Sequence, residues 1–142
     1  MKVILDTHIL IWLLNGNYKI KKAGFLDIIN KAIENNSLKI PSICIWEIAM
    51  LNAKNRIILT KNFLSYIEEI FTIPGISLSY ITAEIAFDSA NLPGNFHGDP
   101  ADRIITSSAR ILNAILLTFD KKILEYGQKG YVKIIQPKNL KN

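Results

Sequence analysis

The sequence has a single cysteine, Cys44, among its 142 residues. One thiol cannot form an internal disulfide, and it cannot supply the several thiolates of a zinc or iron–sulfur site. We therefore predict that Cys44 is a small buried apolar side chain.

Long hydrophobic runs are also missing. The longest, over residues 9–14, is much shorter than the roughly 20 apolar residues of a membrane-spanning helix, and it lacks the cationic flank and cleavage site of a signal peptide. No repeat or low-complexity tract interrupts the chain. These absences predict a cytoplasmic protein with no membrane segment.

The composition is that of a globular domain, with 49% hydrophobic and 20% charged residues. We expect one domain over residues 1–142, with a mobile tail at 138–142. The formal net charge is +5, from 17 basic and 12 acidic residues. This charge is compatible with a polyanionic partner such as nucleic acid but does not require one.

Short apolar runs alternate with segments of helical periodicity. The predicted strands are 2–5, 38–40, 76–78, 115–118 and 131–135. The predicted helices are 9–14, 23–34, 42–54, 60–71 with Thr60 as its cap, 82–91, 100–112 and 121–126, the last ended by Gly127. This alternation predicts an α/β fold, a three-layer α/β/α sandwich with a central parallel sheet of Rossmann-like design.

The stretch His97-Gly98-Asp99-Pro100-Ala101-Asp102-Arg103 precedes the helical run at 104–112. Asp99 suits the N-cap of that helix, Pro100 suits the first helical position, and Asp102 falls at the third. An ordinary capped helix would look the same. The alternative is that Asp102 faces a cleft and holds a divalent cation, and other carboxylates decide between the two.

Four other carboxylates are placed to form a cation site with Asp102: Asp6, Glu47, Asp99 and Asp120. Asp6 and Asp120 each follow a buried strand, and Glu47 and Asp102 lie near the starts of helices that leave the same edge of the sheet. With Asp99, five of the twelve acidic residues would meet there. Such a cluster needs protonation or a cation, and oxygen ligands favour Mg²⁺ or Mn²⁺, which activate water for phosphodiester hydrolysis.

Four fragments, in this order, resemble one family: Leu5-Asp6-Thr7-His8, Trp46-Glu47-Ile48-Ala49, His97-x-Asp99-Pro100-x-Asp102-Arg103 and Leu117-Thr118-x-Asp120. The chain is similar to PIN-domain proteins of the VapC toxin type. The resemblance implies a metal-dependent endoribonuclease, the toxin of a type II toxin–antitoxin system. It also implies a homodimer and a cognate antitoxin that inserts a segment beside the active site.

The resemblance assigns roles by position. Asp6, Glu47, Asp102 and Asp120 would be the catalytic and metal-binding quartet, with Asp99 a helix cap first and a contributor to the metal shell second. Cys44 departs from the pattern, because relatives often have serine before the Trp-Glu pair.

Supporting roles remain open for five residues. Thr7 would hydrogen-bond a metal-bound water, a neighbouring carboxylate or the nearby backbone. Arg103 would contact an RNA phosphate or pair with an adjacent acid. His8 would contact substrate or be hydrogen-bonded at a strand end, His97 would lie on the surface, and Trp46 would pack in the core or a dimer interface.

Two other functions are compatible with the residues. Asp6 at the end of the first strand could form an aspartyl phosphate, as in doubly wound phosphatases, although those usually have a second aspartate where this chain has His8. The chain could also be a non-catalytic module that binds nucleic acid or a protein partner.

Overall fold

Five parallel strands form the centre of the computed structural model, which describes residues 1–139. The strands are β1 (Val3–Leu5), β2 (Leu38–Pro41), β3 (Ile76–Ser79), β4 (Ile115–Leu117) and β5 (Lys133–Ile134), in the order β3-β2-β1-β4-β5. The strand order reverses at β1, which pairs with β2 on one side and β4 on the other. Parallel sheets form ligand-binding crevices at the carboxyl ends of strands where the order reverses.

The sheet is flanked by helices, as the strand–helix alternation predicts. They are α1 (Thr7–Leu14), α2 (Lys19–Lys22), α3 (Phe25–Glu34), α4 (Ser42–Ala53), α5 (Phe63–Phe71), α6 (Ala83–Ala90), α7 (Pro100–Ile111) and α8 (Lys121–Gln128). The predicted α/β class is therefore confirmed. Within residues 1–139, every helix is too short or too polar to cross a lipid bilayer.

Several helix starts differ from the predicted ones. Helix α1 begins two residues earlier because Asp6 caps it, and α3 begins after Gly24, whose φ of 83° lies in the left-handed region. Helix α5 is capped by Asn62, whose side chain accepts from the Ser65 N–H, and not by Thr60. Helix α2 was not predicted, since a single turn leaves little periodicity in the sequence.

Gly127 does not end α8, as the sequence suggested, because the helix continues to Gln128. A Cβ at Gly127 would lie 2.2 Å from Cγ1 of Ile134 on β5. The glycine therefore permits the close approach of helix and strand. The observed β5 is also shorter than the predicted 131–135.

Cys44 is buried as predicted, whereas Trp46 is not part of the core. Cys44 is fully buried, with its Sγ 3.7 Å from the carbonyl oxygen of Leu5. Trp46 is 54% exposed on α4, so of its two predicted positions the core is wrong, and the dimer interface stays a prediction.

The start of the predicted mobile tail is attached to the body of the protein. The Lys138 N–H donates to the Ala23 carbonyl at 3.0 Å, and the Asn139 side-chain amide donates to the Lys22 carbonyl at 3.2 Å. Residues 140–142 of that predicted tail lie outside the described residues.

Candidate active site

A cleft of about 340 Å³ opens at the carboxyl edge of β1 and β4. Its lining consists of Asp6, His8, Trp12, Glu47, Asp99, Asp102, Phe119 and Asp120. All five carboxylates singled out in the sequence therefore line one cleft, although they come from four separate segments of the chain. The register explains part of this convergence, because Leu5 pairs directly with Leu117 and the two strands end side by side.

Asp6 is the most tightly held of these carboxylates. It is only 7% exposed, and it caps α1. Its Oδ1 accepts from the Thr7 N–H at 2.8 Å, and its Oδ2 accepts from the Thr118 hydroxyl at 2.7 Å. Burial raises the pKa of Asp6 above its ordinary value, and the two hydrogen bonds act in the opposite direction. Both carboxylate oxygens of Asp6 are therefore held in place by hydrogen bonds.

Thr118 holds two of the cleft carboxylates in position, and the sequence reasoning assigned it no role. It is fully buried, and its Oγ1 also accepts a hydrogen bond from the Asp120 N–H at 3.0 Å. The Thr118 hydroxyl therefore accepts one hydrogen bond and donates its proton to Asp6. One signal was present in the sequence: a threonine at the end of a buried strand needs a polar partner, and the nearest carboxylate edge was the predicted site.

Glu47 lies in the second turn of α4 and is half-buried. Its Oε1 accepts from the Thr7 hydroxyl, so Thr7 links Asp6 and Glu47 through its backbone and its side chain. Bonding to a neighbouring carboxylate is one of the roles predicted for Thr7. Burial raises the pKa of Glu47, and the nearby charge of Asp6 raises it further.

Asp99 and Asp102 occupy the predicted positions at the start of α7. Asp99 is the N-cap, its Oδ1 accepts from the Asp102 N–H at 2.9 Å, and Pro100 follows it. Asp102 lines the cleft as well. Burial, followed by the charges of the surrounding carboxylates, raises the pKa of Asp102 to about 7. The capped helix and the cleft-facing carboxylate are therefore both present.

Asp120 also combines two positions. It caps α8, with its Oδ1 accepting from the Ile123 N–H at 3.1 Å, and it lines the cleft. Asp6, Asp99 and Asp120 are thus the N-caps of three helices whose starts meet at the cleft. The partial positive charge of a helix N-terminus stabilises a carboxylate, so this arrangement offsets part of their mutual repulsion.

Arg103 has partners that the sequence did not suggest. Its Nε donates to the Ser89 carbonyl at 2.8 Å, and its Nη1 donates to the Phe96 carbonyl at 2.9 Å. The predicted ion pair with an adjacent acid is wrong: the ion pairs found within residues 1–139 are Lys61–Glu69 and Arg110–Asp88. Arg103 instead attaches α7 to the last turn of α6 and to the loop between the two helices.

The two histidines differ in position. His8 lines the cleft and meets the ring of Trp12 edge-on, with 6.2 Å between centroids. His97 lies exposed in the loop before α7, and its carbonyl accepts from Lys122 Nζ at 3.3 Å. No three His, Cys, Asp or Glu side chains among residues 1–139 are arranged so that together they could hold a metal ion directly.

Comparison with known proteins assigns the family. The family model described as PIN domain matches residues 3–129, a range that contains all five cleft carboxylates. Ribonuclease VapC22 of Mycobacterium tuberculosis is 30% identical over 122 residues, which cover 85% of this chain and 88% of that protein.

Solved structures show the same fold. VapBC2 from Rickettsia felis, bound to a DNA fragment from its promoter, superposes with a TM-score of 0.68 at 17% identity, covering 96% of this chain and 99% of the other. A toxin–antitoxin complex from Klebsiella pneumoniae superposes with a TM-score of 0.62 at 22% identity, covering 95% and 97%. With the family model spanning most of its length, this chain belongs to the PIN-domain family.

Proposed function

We propose that this protein is an endoribonuclease that hydrolyses RNA phosphodiester bonds with a carboxylate-held Mg²⁺ or Mn²⁺ ion, and that it is the toxin of a type II toxin–antitoxin system. The observation that carries the proposal is the convergence of five carboxylates on one cleft at the point where the strand order reverses. The relative named Ribonuclease VapC22 supports the choice of RNA as substrate.

The residues of the cleft suit a hard divalent cation. Mg²⁺ binds to proteins through oxygen atoms, often through only one or two carboxylates, and keeps several of its waters. A cleft of about 340 Å³ has room for such a hydrated ion. Burial is the main cause of the raised pKa values of Glu47 and Asp102, and the charges of the neighbouring carboxylates add to it; a cation would offset both effects.

Each carboxylate would contribute differently to the reaction. Asp6 and Glu47 are oriented by Thr7, so their oxygens are positioned before any ligand enters. Asp99 and Asp120 each use Oδ1 for the start of a helix, which fixes the carboxylate plane. Asp102, with a pKa of about 7, can exchange a proton near neutral pH. A bound cation would lower the pKa of an attacking water and stabilise the charge at phosphorus.

The aspartyl-phosphate alternative fits the geometry less well. Asp6, the residue that would attack phosphorus, is 7% exposed, and both of its oxygens accept hydrogen bonds. The chain also has His8 where such phosphatases usually have a second aspartate. Trapping of a beryllofluoride adduct at Asp6 would nevertheless reverse this conclusion.

We further propose a cognate antitoxin as partner, cytoplasmic location and a homodimeric state. The antitoxin is supported by the structural neighbours, which include VapBC and toxin–antitoxin complexes. The exposed Trp46 on α4 is the side chain we expect in a dimer contact.

The test is the Asp6→Asn variant, with Asp27→Asn as its matched control. Asparagine remains a good helix cap, so the fold should be retained while the negative charge is lost. Asp27 is an exposed carboxylate on α3 and does not line the cleft.

We expect Asp6→Asn to abolish Mn²⁺-dependent cleavage of RNA and to relieve growth arrest on expression, with Asp27→Asn behaving as wild type. Sequencing of the cleaved ends should show 5′-phosphate and 3′-hydroxyl groups. Cleavage by Asp6→Asn at the wild-type rate would refute the nuclease assignment. Absence of Mn²⁺ binding in calorimetry would favour a non-catalytic binding module.

A further inference from the structure

The chain segment that follows Asp6 along one side of the cleft contains no acidic residue. Between Asp6 and Asp27 the sequence has no Asp or Glu, but it has Lys19, Lys21 and Lys22. These residues form α1, the turn after it and α2. A positively charged ridge therefore stands directly beside a cleft lined by five carboxylates.

Trp12 connects this ridge to the cleft. Its ring lines the cleft together with Phe119, with 5.1 Å between the two ring centroids. Lys19 on α2 places its Nζ 5.1 Å from the centroid of the Trp12 ring. The Trp12 ring is thus contacted by Phe119 in the cleft and by the ammonium group of Lys19, which a stacking base would have to displace.

The same pairing of an ammonium group and an aromatic ring is repeated further out. Tyr18 is 69% exposed, and Lys22 Nζ lies 5.9 Å from the centroid of its ring. Helix α2 is anchored by Ile20, its buried residue, so that its lysines are held outward.

A lysine from the C-terminal segment joins this surface. Lys138 donates its N–H to the Ala23 carbonyl, and its side-chain Cδ lies 3.4 Å from where a Cβ on Gly24 would stand. We call the whole surface the α2 strip; its members are Trp12, Tyr18, Lys19, Lys21, Lys22 and Lys138.

We infer that the α2 strip binds single-stranded RNA and leads it into the cleft, an inference that rests on the proposed nuclease function. Five carboxylates repel a polyanion, so the affinity for RNA must come from cations outside the cleft. Proteins that hold single strands combine a cationic track with aromatic rings on which unpaired bases stack, and the strip repeats that combination. Bases stacked inside a duplex could not reach these rings.

The first experiment measures RNA affinity without cleavage. The double variant Lys19→Gln/Lys22→Gln is compared with Lys129→Gln/Lys133→Gln, which removes the same charge at the opposite end of the sheet, since Lys133 pairs with the first residue of β4. Anisotropy of a short fluorescent oligouridylate is measured in EDTA over a series of salt concentrations.

We expect the strip variant to raise Kd about tenfold and to reduce the slope of log K against log salt by about 1.4, which is two contacts at about 0.7 each for single strands. The control variant should change Kd by less than about twofold, as expected for charges that touch no phosphate. Equal effects of the two variants, or no effect of either, would overturn the inference and assign the strip to another partner, such as an acidic protein segment.

The second experiment uses Trp12 as its own reporter. The chain has two tryptophans, and Trp46→Phe leaves Trp12 as the remaining one while keeping an aromatic ring at the proposed dimer contact. The oligomeric state of this variant is compared with that of the wild type before RNA is added. We expect oligouridylate to quench the Trp12 fluorescence and an RNA duplex of equal length to leave it unchanged. Equal quenching by both, or by neither, would contradict stacking on this ring.

These measurements are independent of the nuclease test. Cleavage that depends on Asp6, combined with unchanged RNA affinity of Lys19→Gln/Lys22→Gln, would overturn the strip and leave the nuclease proposal in place. Strip-dependent binding without any cleavage would support the strip and refute the nuclease.

Discussion

Asp102→Asn should stabilise the metal-free protein at pH 8. The carboxylate of Asp102 has a pKa of about 7 because it is partly buried among other carboxylates. Relative to the ordinary value of 3.8, ionising it in the folded state would cost roughly 4 kcal/mol if no solvent reached it. Asp102 is only half-buried, so solvent screening leaves about 1–2 kcal/mol. Asparagine removes that charge and keeps a similar shape.

The effect must depend on pH in a defined direction. Below about pH 3 the carboxyl group is protonated in both the folded and the unfolded chain, and the variant should have almost no effect. Between pH 4 and 7 the unfolded chain ionises first, so the wild type loses stability as pH rises. Above pH 7 the loss is complete, and the variant gains its full advantage.

The measurement is urea unfolding in EDTA at pH 8 and pH 3. The expected gain in the free energy of unfolding at pH 8 corresponds to a rise in Tm of about 3–8 °C for a domain of this size. Adding Mg²⁺ should stabilise the wild type more than the variant, because the ion binds the folded carboxylates. Asp27→Asn serves as control and should show no such pattern. Destabilisation at pH 8, or a gain of equal size at both pH values, would refute the reasoning.

Three further predictions concern the same site. Thr118→Val should destabilise the protein by about 1–3 kcal/mol and lower the cleavage rate, because Asp6 and the Asp120 N–H each lose a hydrogen-bond partner. Thr118→Ser should retain most of the stability and of the cleavage rate, as urea unfolding and cleavage assays can check. Mn²⁺ affinity measured by calorimetry should fall as pH decreases from 8 to 6, because protons compete for Asp102, and an unchanged affinity would contradict its raised pKa. Arg103→Met should speed amide hydrogen exchange at the end of α6 and in the loop at 91–98, which the guanidinium ties to α7 through Ser89 and Phe96, without a comparable change in α8.

The local features of the fold could be predicted from the sequence. β1 and β4 are continuous apolar runs that stop at polar residues, and their carboxyl ends identify the edge where the site lies. The cap of α7 follows from Asp99 and Pro100 alone, because capping involves residues only a few positions apart. The same logic located Asp6 and Asp120 at strand ends.

Features that depend on long-range packing were missed or predicted incorrectly. The Thr118 hydroxyl reaches Asp6 across 112 positions of sequence, and no local pattern announces that contact. Arg103 looked like a partner for phosphate or acid, but it donates to the carbonyls of Ser89 at the end of α6 and of Phe96 in the following loop. Gly127 looked like a helix stop. The glycine is instead required because the side chain of Ile134, on another element, leaves no room for a Cβ.

Capping a helix and lining the cleft are not alternatives in this protein, which is why the sequence alone could not choose between them. Asp6, Asp99 and Asp120 each give Oδ1 to the start of a helix and still line the cleft. Alanine at these positions would therefore remove a helix cap, at about 1 kcal/mol each, together with any catalytic charge. Asparagine caps a helix about as well as aspartate does. Only the asparagine variants can separate loss of activity from loss of the architecture that brings the carboxylates together.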